Sequence, residues 1–193
     1  MCGVIVSQGL RLRERNNMHP YCAYTLKITD IEDVDKVYHD HHYGVPIHDD
    51  NELFCRLVME INQAGLSWKT ILMKEKGFRR AYGAFGIVKV ARYEEKDIDR
   101  LMNDASIIRN RLKILAAIHN ANQLLTIQKE FGSFRKWIDV HVVECGDDKE
   151  KWLRLFKKNF KFVGGEIVGE FLMSIGILSG AHDPHCSNYR KKL

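Results

Sequence analysis

The sequence predicts an all-helical fold, and three observations carry that prediction. Apolar residues recur at helical rather than alternating spacing, most plainly Leu53, Phe54, Leu57, Val58 and Ile61. No two-residue hairpin signal stands between alternating runs, so no strand pair is required. Gly77, Gly83, Gly86, Gly132 and Gly146 fall between the periodic stretches, where chain breaks are expected.

Taken in order, residues 1 to 18 show no periodic pattern, carry Arg11, Arg13 and Arg15, and precede a second methionine, Met18. Residues 1–20 therefore read as a flexible tail. Gly44 and Pro46 lie in the segment before the first clear helix. Asp50 is expected to cap that helix, because its carboxylate can accept from amides that a first turn leaves unpaired. Further helices are expected around Trp68 to Lys74, Glu94 to Met102, Arg109 to Gln128, Phe134 to Ile138, Asp148 to Phe156 and Val163 to Ile175. A single domain over 21–188 and a short basic tail over 189–193 complete the plan, with no internal repeat.

With 193 residues, 45% of them apolar and 28% charged, the chain has the make-up of one globular domain rather than a disordered or fibrous polymer. A chain of this length buries roughly 70% of its unfolded surface and can hold its own core. No apolar run approaches the ~18 residues of a membrane span, and the start MCGVIVSQGLRLRER has no signal-type core, so an intracellular location is expected. The formal charge of +5 permits nucleic-acid binding without demanding it. Basic runs occur at Arg109, Arg111 and Lys113, at Lys157, Lys158 and Lys161, and at Arg190, Lys191 and Lys192, each by itself an ordinary solvated face.

Cys2, Cys22, Cys55, Cys145 and Cys186 are an odd and scattered set, which argues against a disulfide framework. Cys22 and His39, with the late pair His182 and Cys186, could give zinc two thiolates and two imidazoles in a closed tetrahedron. Pro184 favours a loop there. Spacing alone does not single this set out, because His19, His41, His42, His48 and His185 compete with it.

Four segments stand out: Tyr38-His-Asp-His-His-Tyr-Gly-Val-Pro46, Glu60-Ile-Asn-Gln-Ala-Gly-Leu-Ser-Trp68, Asp104-Ala-Ser-Ile-Ile-Arg-Asn-Arg111 and Phe160-Lys-Phe-Val-Gly164. In that order they resemble the 3-methyladenine DNA glycosylase I (Tag) family, over about residues 22 to 188. The resemblance implies the all-helical helix-hairpin-helix glycosylase fold, its two ends joined by structural zinc on Cys22, His39, His182 and Cys186. It also implies a monomer that excises 3-methyladenine from double-stranded DNA in base excision repair, without a membrane partner. Such a protein would be cytoplasmic in a bacterial-type cell and nucleoid-associated when bound to DNA.

A purine alkylated at N3 is cationic, so its glycosidic bond is already weakened and the enzyme must mainly select and hold the flipped base. Trp68 is the candidate for the face of the base, since an indole favours a cationic ring by about 0.5–2 kcal/mol. Glu60 lies roughly 90° from the centre of its helix's apolar stripe, beside Leu57 and Ala64. Spacing alone makes it a solvated carboxylate; the match to the family's pocket Glu makes it the catalytic reader of the base edge. Tyr38 matches the family's pocket Tyr, against the alternative of a core ring with a satisfied hydroxyl.

Several positions depart from the family pattern. Tyr24 and Tyr43 stand where the family carries Trp and keep a ring as base-binding residues, whereas Asp35 and Gly169 replace aromatics. In the hairpin, Arg109, Arg111 and the turn's amides are expected on a DNA phosphate. Ser106 replaces a Gly there, strained if the position needs a positive φ and favourable if it caps the helix. No Asp occurs between Asp104 and Asp139, which fits Tag, thought to lack the sugar-stabilising Asp of its cousins, and implies a narrow range of already weakened bonds. No lysine falls on the hairpin-linked Schiff-base position of bifunctional relatives. The other classes are a catalytically altered DNA-binding relative and a zinc-stapled interaction domain. The intact Glu60, Trp68 and Tyr38 set favours the enzyme, since a silent relative would be free to lose it.

Overall fold

The computed structural model describes residues 18–189, whose regular structure is all helical. Cys2, the Arg11, Arg13 and Arg15 cluster, and Arg190, Lys191 and Lys192 lie outside the described residues. The helices are α1 (Pro20–Thr25), α2 (Val34–His41), α3 (Asp50–Gln63), α4 (Trp68–Ala81), α5 (Ile87–Val90), α6 (Glu95–Met102), α7 (Arg111–Phe131), α8 (Phe134–Cys145), α9 (Lys149–Asn159) and α10 (Gly165–Ser174). Side-chain oxygens of Asp33, Asp49, Ser67, Asn110, Ser133 and Asp148 accept from the first-turn amides of α2, α3, α4, α7, α8 and α9. Gly132, at φ 86°, ends α7 in the left-handed conformation that glycine adopts without a Cβ clash.

The expected cap on α3 is off by one residue. Asp49 caps this helix, and Asp50 reaches across to the start of α8, accepting from the Phe134 and Arg135 amides at 2.8 and 3.1 Å and from Gln128 at 2.7 Å. Gly77 is not a break either, because α4 continues past Lys74 to Ala81. A Cβ at Gly77 would collide with the Ser106 carbonyl oxygen, so glycine there provides clearance for the α6–α7 turn. Helices α1 and α5, of six and four residues, hold too few turns to show a period, and the eight-residue α2 is a further helix not among those expected.

Helix α3 runs through the middle of the fold, against α4, α5, α7, α8 and α10. Leu53, Phe54, Leu57, Val58 and Ile61 are wholly buried on it, as their spacing predicts. Beside them Phe134, Trp137, Phe156, Phe160 and Phe171 form a second buried group from α8, α9 and α10, with centroids 5.3 to 6.2 Å apart. Each such side chain stabilises the fold by about 1.5–3 kcal/mol through burial.

Lys113, read above as part of a basic run, turns inward. Its ammonium donates to the Asn62 and Ala64 carbonyls at 2.9 and 2.8 Å, satisfying oxygens that the end of α3 leaves unpaired. Asn120 does the same for the Phe-Lys-Phe-Val-Gly loop, exchanging two hydrogen bonds with the Lys161 backbone at 3.1 and 2.8 Å.

Candidate active site

His19, Tyr21, Tyr38, Tyr43, Glu60, Gln63, Trp68 and Glu170 enclose a cavity of about 180 Å³. It is smaller than the roughly 300–1,000 Å³ of drug-sized sites and suits a single base. Glu60 is 4% exposed and comes from the last turn of α3, whose position the core fixes. No hydrogen bond reaches its carboxylate among the described residues. Burial, with the Glu170 carboxylate adding to it and Arg56 opposing, pushes the Glu60 carboxyl up to about 8.

Trp68 opens α4 directly after the Ser67 cap, so helix geometry sets where its indole stands. Its ring centroid lies 5.1 Å from that of Tyr38. Trp68 Nε1 and His19 Nδ1 are buried with no hydrogen-bond partner among the described residues. Such groups are costly unless a ligand or water meets them. The Tyr38 hydroxyl accepts from Arg56 at 2.8 Å, and the Tyr43 hydroxyl donates to Glu170 at 3.1 Å. Burial raises both phenols well above the ordinary tyrosine range, so both are protonated.

Of the residues singled out in the sequence, Glu60, Tyr38, Tyr43 and Trp68 come together here. Tyr24 does not line the cavity. It is exposed, its hydroxyl donates to Asp35 at 3.2 Å, and its ring lies against Tyr21, which takes the wall position instead. Asp35 is buried beneath Tyr24 with Lys69 3.6 Å away, and neither it nor Gly169 reaches the cavity. His19, Tyr21, Gln63 and Glu170 were not anticipated. Gln63 follows Glu60 by three residues on one helix face, a spacing that could have found it; the others carry no local signal.

Cys22, His39, His182 and Cys186 are all buried, and their ligand atoms lie within 4.8 Å of one another. Sulfur–nitrogen separations are 3.5 and 3.9 Å from Cys22 and 3.7 Å twice from Cys186. A tetrahedron with bonds of about 2.0–2.3 Å has edges of roughly 3.3–3.8 Å, so the set fits a four-coordinate ion. Both imidazoles are held from behind: His39 Nδ1 by Asp40 at 2.7 Å and His182 Nε2 by the Tyr43 carbonyl at 2.9 Å.

In the turn between α6 and α7 the Asp104 carboxylate accepts from the Ser106 amide at 2.8 Å, and Lys74 donates to the Ala105 carbonyl at 2.9 Å. Ser106 has no positive φ, so it is unstrained, and the cap of α7 is Asn110 rather than Ser106. Arg109 is exposed. Arg111 is also exposed and pairs with Glu95 at 2.7 Å, a surface pair of at most about 1 kcal/mol that a phosphate can displace.

A family model described as methyladenine glycosylase matches residues 28–154. The chain belongs to the methyladenine glycosylase family. DNA-3-methyladenine glycosylase 1 of Escherichia coli (strain K12) is 35% identical over 160 residues, 74% of this chain and 84% of that protein. The DNA-3-methyladenine glycosylase of Haemophilus influenzae is 32% identical over 157 residues, 73% and 85% of the two chains. A crystal structure of a 3-methyladenine DNA glycosylase I variant in complex with 3-methyladenine superposes with TM-score 0.78 at 32% identity, covering 90% of this chain and 99% of that one. The enzyme from Staphylococcus aureus, described for its 3-methyladenine recognition, gives 0.77 at 32% identity, with coverage of 88% and 97%. In this chain α10 contributes the carboxylate of Glu170 to the cavity wall, and Gly169 brings no ring to it.

Proposed function

We propose that this protein is a monofunctional DNA-3-methyladenine glycosylase I, which hydrolyses the N-glycosidic bond of N3-alkylated adenine in double-stranded DNA. The observation that carries the reading is Glu60, a buried carboxylate without a hydrogen-bond partner among the described residues, set in an aromatic cavity. An isolated anion is costly there, and burial raises the Glu60 carboxyl to about 8. A flipped cationic base supplies the missing positive charge. Its binding therefore drives Glu60 to the carboxylate and releases a proton.

The Glu60 oxygens then accept from the amino edge of the base, and Trp68 offers it a π-face. The base leaves with the bonding electron pair, and water adds to the sugar. Among the described residues no lysine lines the cavity, which supports hydrolysis without a Schiff base. Leu66, 40% exposed in the loop after Gln63, would fill the gap a flipped base leaves, and the α6–α7 turn with Arg109 suits a phosphate. Cys22, His39, His182 and Cys186 would hold zinc as a cross-link with no open position for chemistry.

The test is chromatography of bases released from methylated duplex DNA. Free 3-methyladenine with an intact, alkali-labile strand is expected. Binding without base release would instead mark a catalytically altered relative, and borohydride-trapped protein–DNA adducts would overturn the monofunctional step.

A further inference from the structure

Two carboxylates share the cavity, and they come from different helices: Glu60 at the end of α3 and Glu170 on α10, which packs against α3. They are not equivalent. Glu60 is buried and accepts no hydrogen bond among the described residues, whereas Glu170 is half-buried and one of its oxygens accepts from the Tyr43 hydroxyl at 3.1 Å. A phenol has one proton, so that of Tyr43 is committed to Glu170. The Tyr38 hydroxyl is engaged by Arg56 and by Ser174, which leaves the Trp68 N–H and the Gln63 amide as donors toward a ligand. The anionic acceptors left for a ligand are Glu60 and the second oxygen of Glu170.

The charges do not balance. Arg56, beside Tyr38, is the fixed cation whose field reaches Glu60, and it stands against two carboxylates. His19 is the other titratable nitrogen on the wall, and Tyr21, Tyr38 and Tyr43 are protonated phenols. The resemblance noted above expects an aromatic ring at Gly169; in its place α10 brings a charge to the site through the next residue.

We propose that Glu170 is a second base-reading carboxylate, which with Glu60 makes the cavity select a positively charged purine over a neutral one. The inference rests on the glycosylase reading and adds a specificity-determining residue to it. Like charges confined in one small cavity repel, and either a proton or a cationic ligand relieves that repulsion. The upward push of Glu170 on Glu60 is the same repulsion seen from the proton's side. A neutral purine relieves none of it, so the second carboxylate contributes to discrimination rather than to general affinity.

The experiment measures equilibrium binding of two small probes at pH 8, the permanently cationic 3,9-dimethyladeninium and neutral 3-methyladenine. Glu170→Gln keeps the length and leaves a carbonyl for the Tyr43 proton while removing the charge, and the half-buried position tolerates the change. Affinity for the cation is expected to fall three- to tenfold and that for the neutral base to stay within twofold, with Glu170→Asp restoring most of the cation preference. Equal weakening of both probes, no weakening of either, or failure of the parent to prefer the cation would each overturn the proposal. Base release by the parent is scored separately. A parent that releases no 3-methyladenine defeats the glycosylase reading, whereas a parent that releases it with Glu170→Gln binding like the parent defeats this inference alone.

Discussion

Arg56 donates to the Tyr38 hydroxyl at 2.8 Å while its guanidinium carbon stands 4.9 Å from the centre of the same ring. An arginine can only donate, so it occupies the tyrosine's oxygen and turns the tyrosine's own proton elsewhere. The same guanidinium favours the ionised form of Glu60.

Replacing that cation should therefore be visible in the pH profile. With Glu60 held up to about 8, kcat/KM for base release is expected to rise as pH increases toward that value, since it reports the free enzyme. Arg56→Met should move the rise to higher pH by on the order of half a unit or more, because an opposing charge has been lost. An unmoved profile would separate Arg56 from the chemistry.

Glu60→Gln bears on both function and folding. Loss of a charge-assisted hydrogen bond to a cationic base should slow 3-methyladenine release roughly ten- to a hundredfold, about 1.5–3 kcal/mol, with affinity for undamaged DNA nearly intact. In folding, the carboxyl is raised from 4.5 to about 8, so the native state holds a proton that the unfolded chain gives up. Its contribution to stability is complete below about 4.5 and is lost as pH rises through about 8. Melting of the parent should therefore fall between pH 5 and pH 9 by more than that of Glu60→Gln, at roughly 2–4 °C per kcal/mol. Parallel curves for the two proteins would contradict the buried, raised carboxyl.

The apolar stripe of α3 made that helix legible, and the motif ending at Trp68 made the pocket legible through resemblance. What stayed hidden has physical causes. His19 and Tyr21 belong to a six-residue helix and its lead-in, too short to show a period. Glu170 meets Tyr43 only through the packing of α10, a pairing no local pattern encodes. Tyr24 misled because it lies one turn beyond Tyr21 and only the fold decides which of the two rings faces inward. For the Cys and His set, spacing left several histidines in competition, and packing brings His39 and His182 rather than the others to the two thiols.

Metal removal should act on stability before chemistry. If zinc occupies the set at about a thousand times its Kd, it stabilises the fold by about 4 kcal/mol, so chelation or Cys186→Ser should lower Tm by roughly 8–16 °C. Below the new midpoint the single-turnover rate should persist, since four protein ligands leave no position for water. Elemental analysis finding no zinc in carefully purified protein, or melting indifferent to Cys186→Ser, would remove zinc from the description.

Arg109 and Lys113 should separate cleanly. Arg109→Ala is expected to weaken DNA binding and reduce the slope of log affinity against log salt by about one, with melting unchanged. Lys113→Met should leave that slope alone and cost about 1–3 kcal/mol of stability, because the Asn62 and Ala64 carbonyls lose their donor. A salt-slope change in the Lys113 variant would place its ammonium on DNA.

The cavity is walled by His19 and Tyr21 near one end of the described chain and by Glu170 near the other. During synthesis the first of these leave the ribosome long before the last, at roughly 5–20 residues per second. A nascent chain thus presents Glu60, Trp68 and Tyr38 before α10 is made, and a truncated product ending before α10 lacks Glu170 and the helix that packs against α3. The last wall of the cavity is thus among the last parts of the described chain to be made, and the charge it carries reaches the site only when α10 packs on α3.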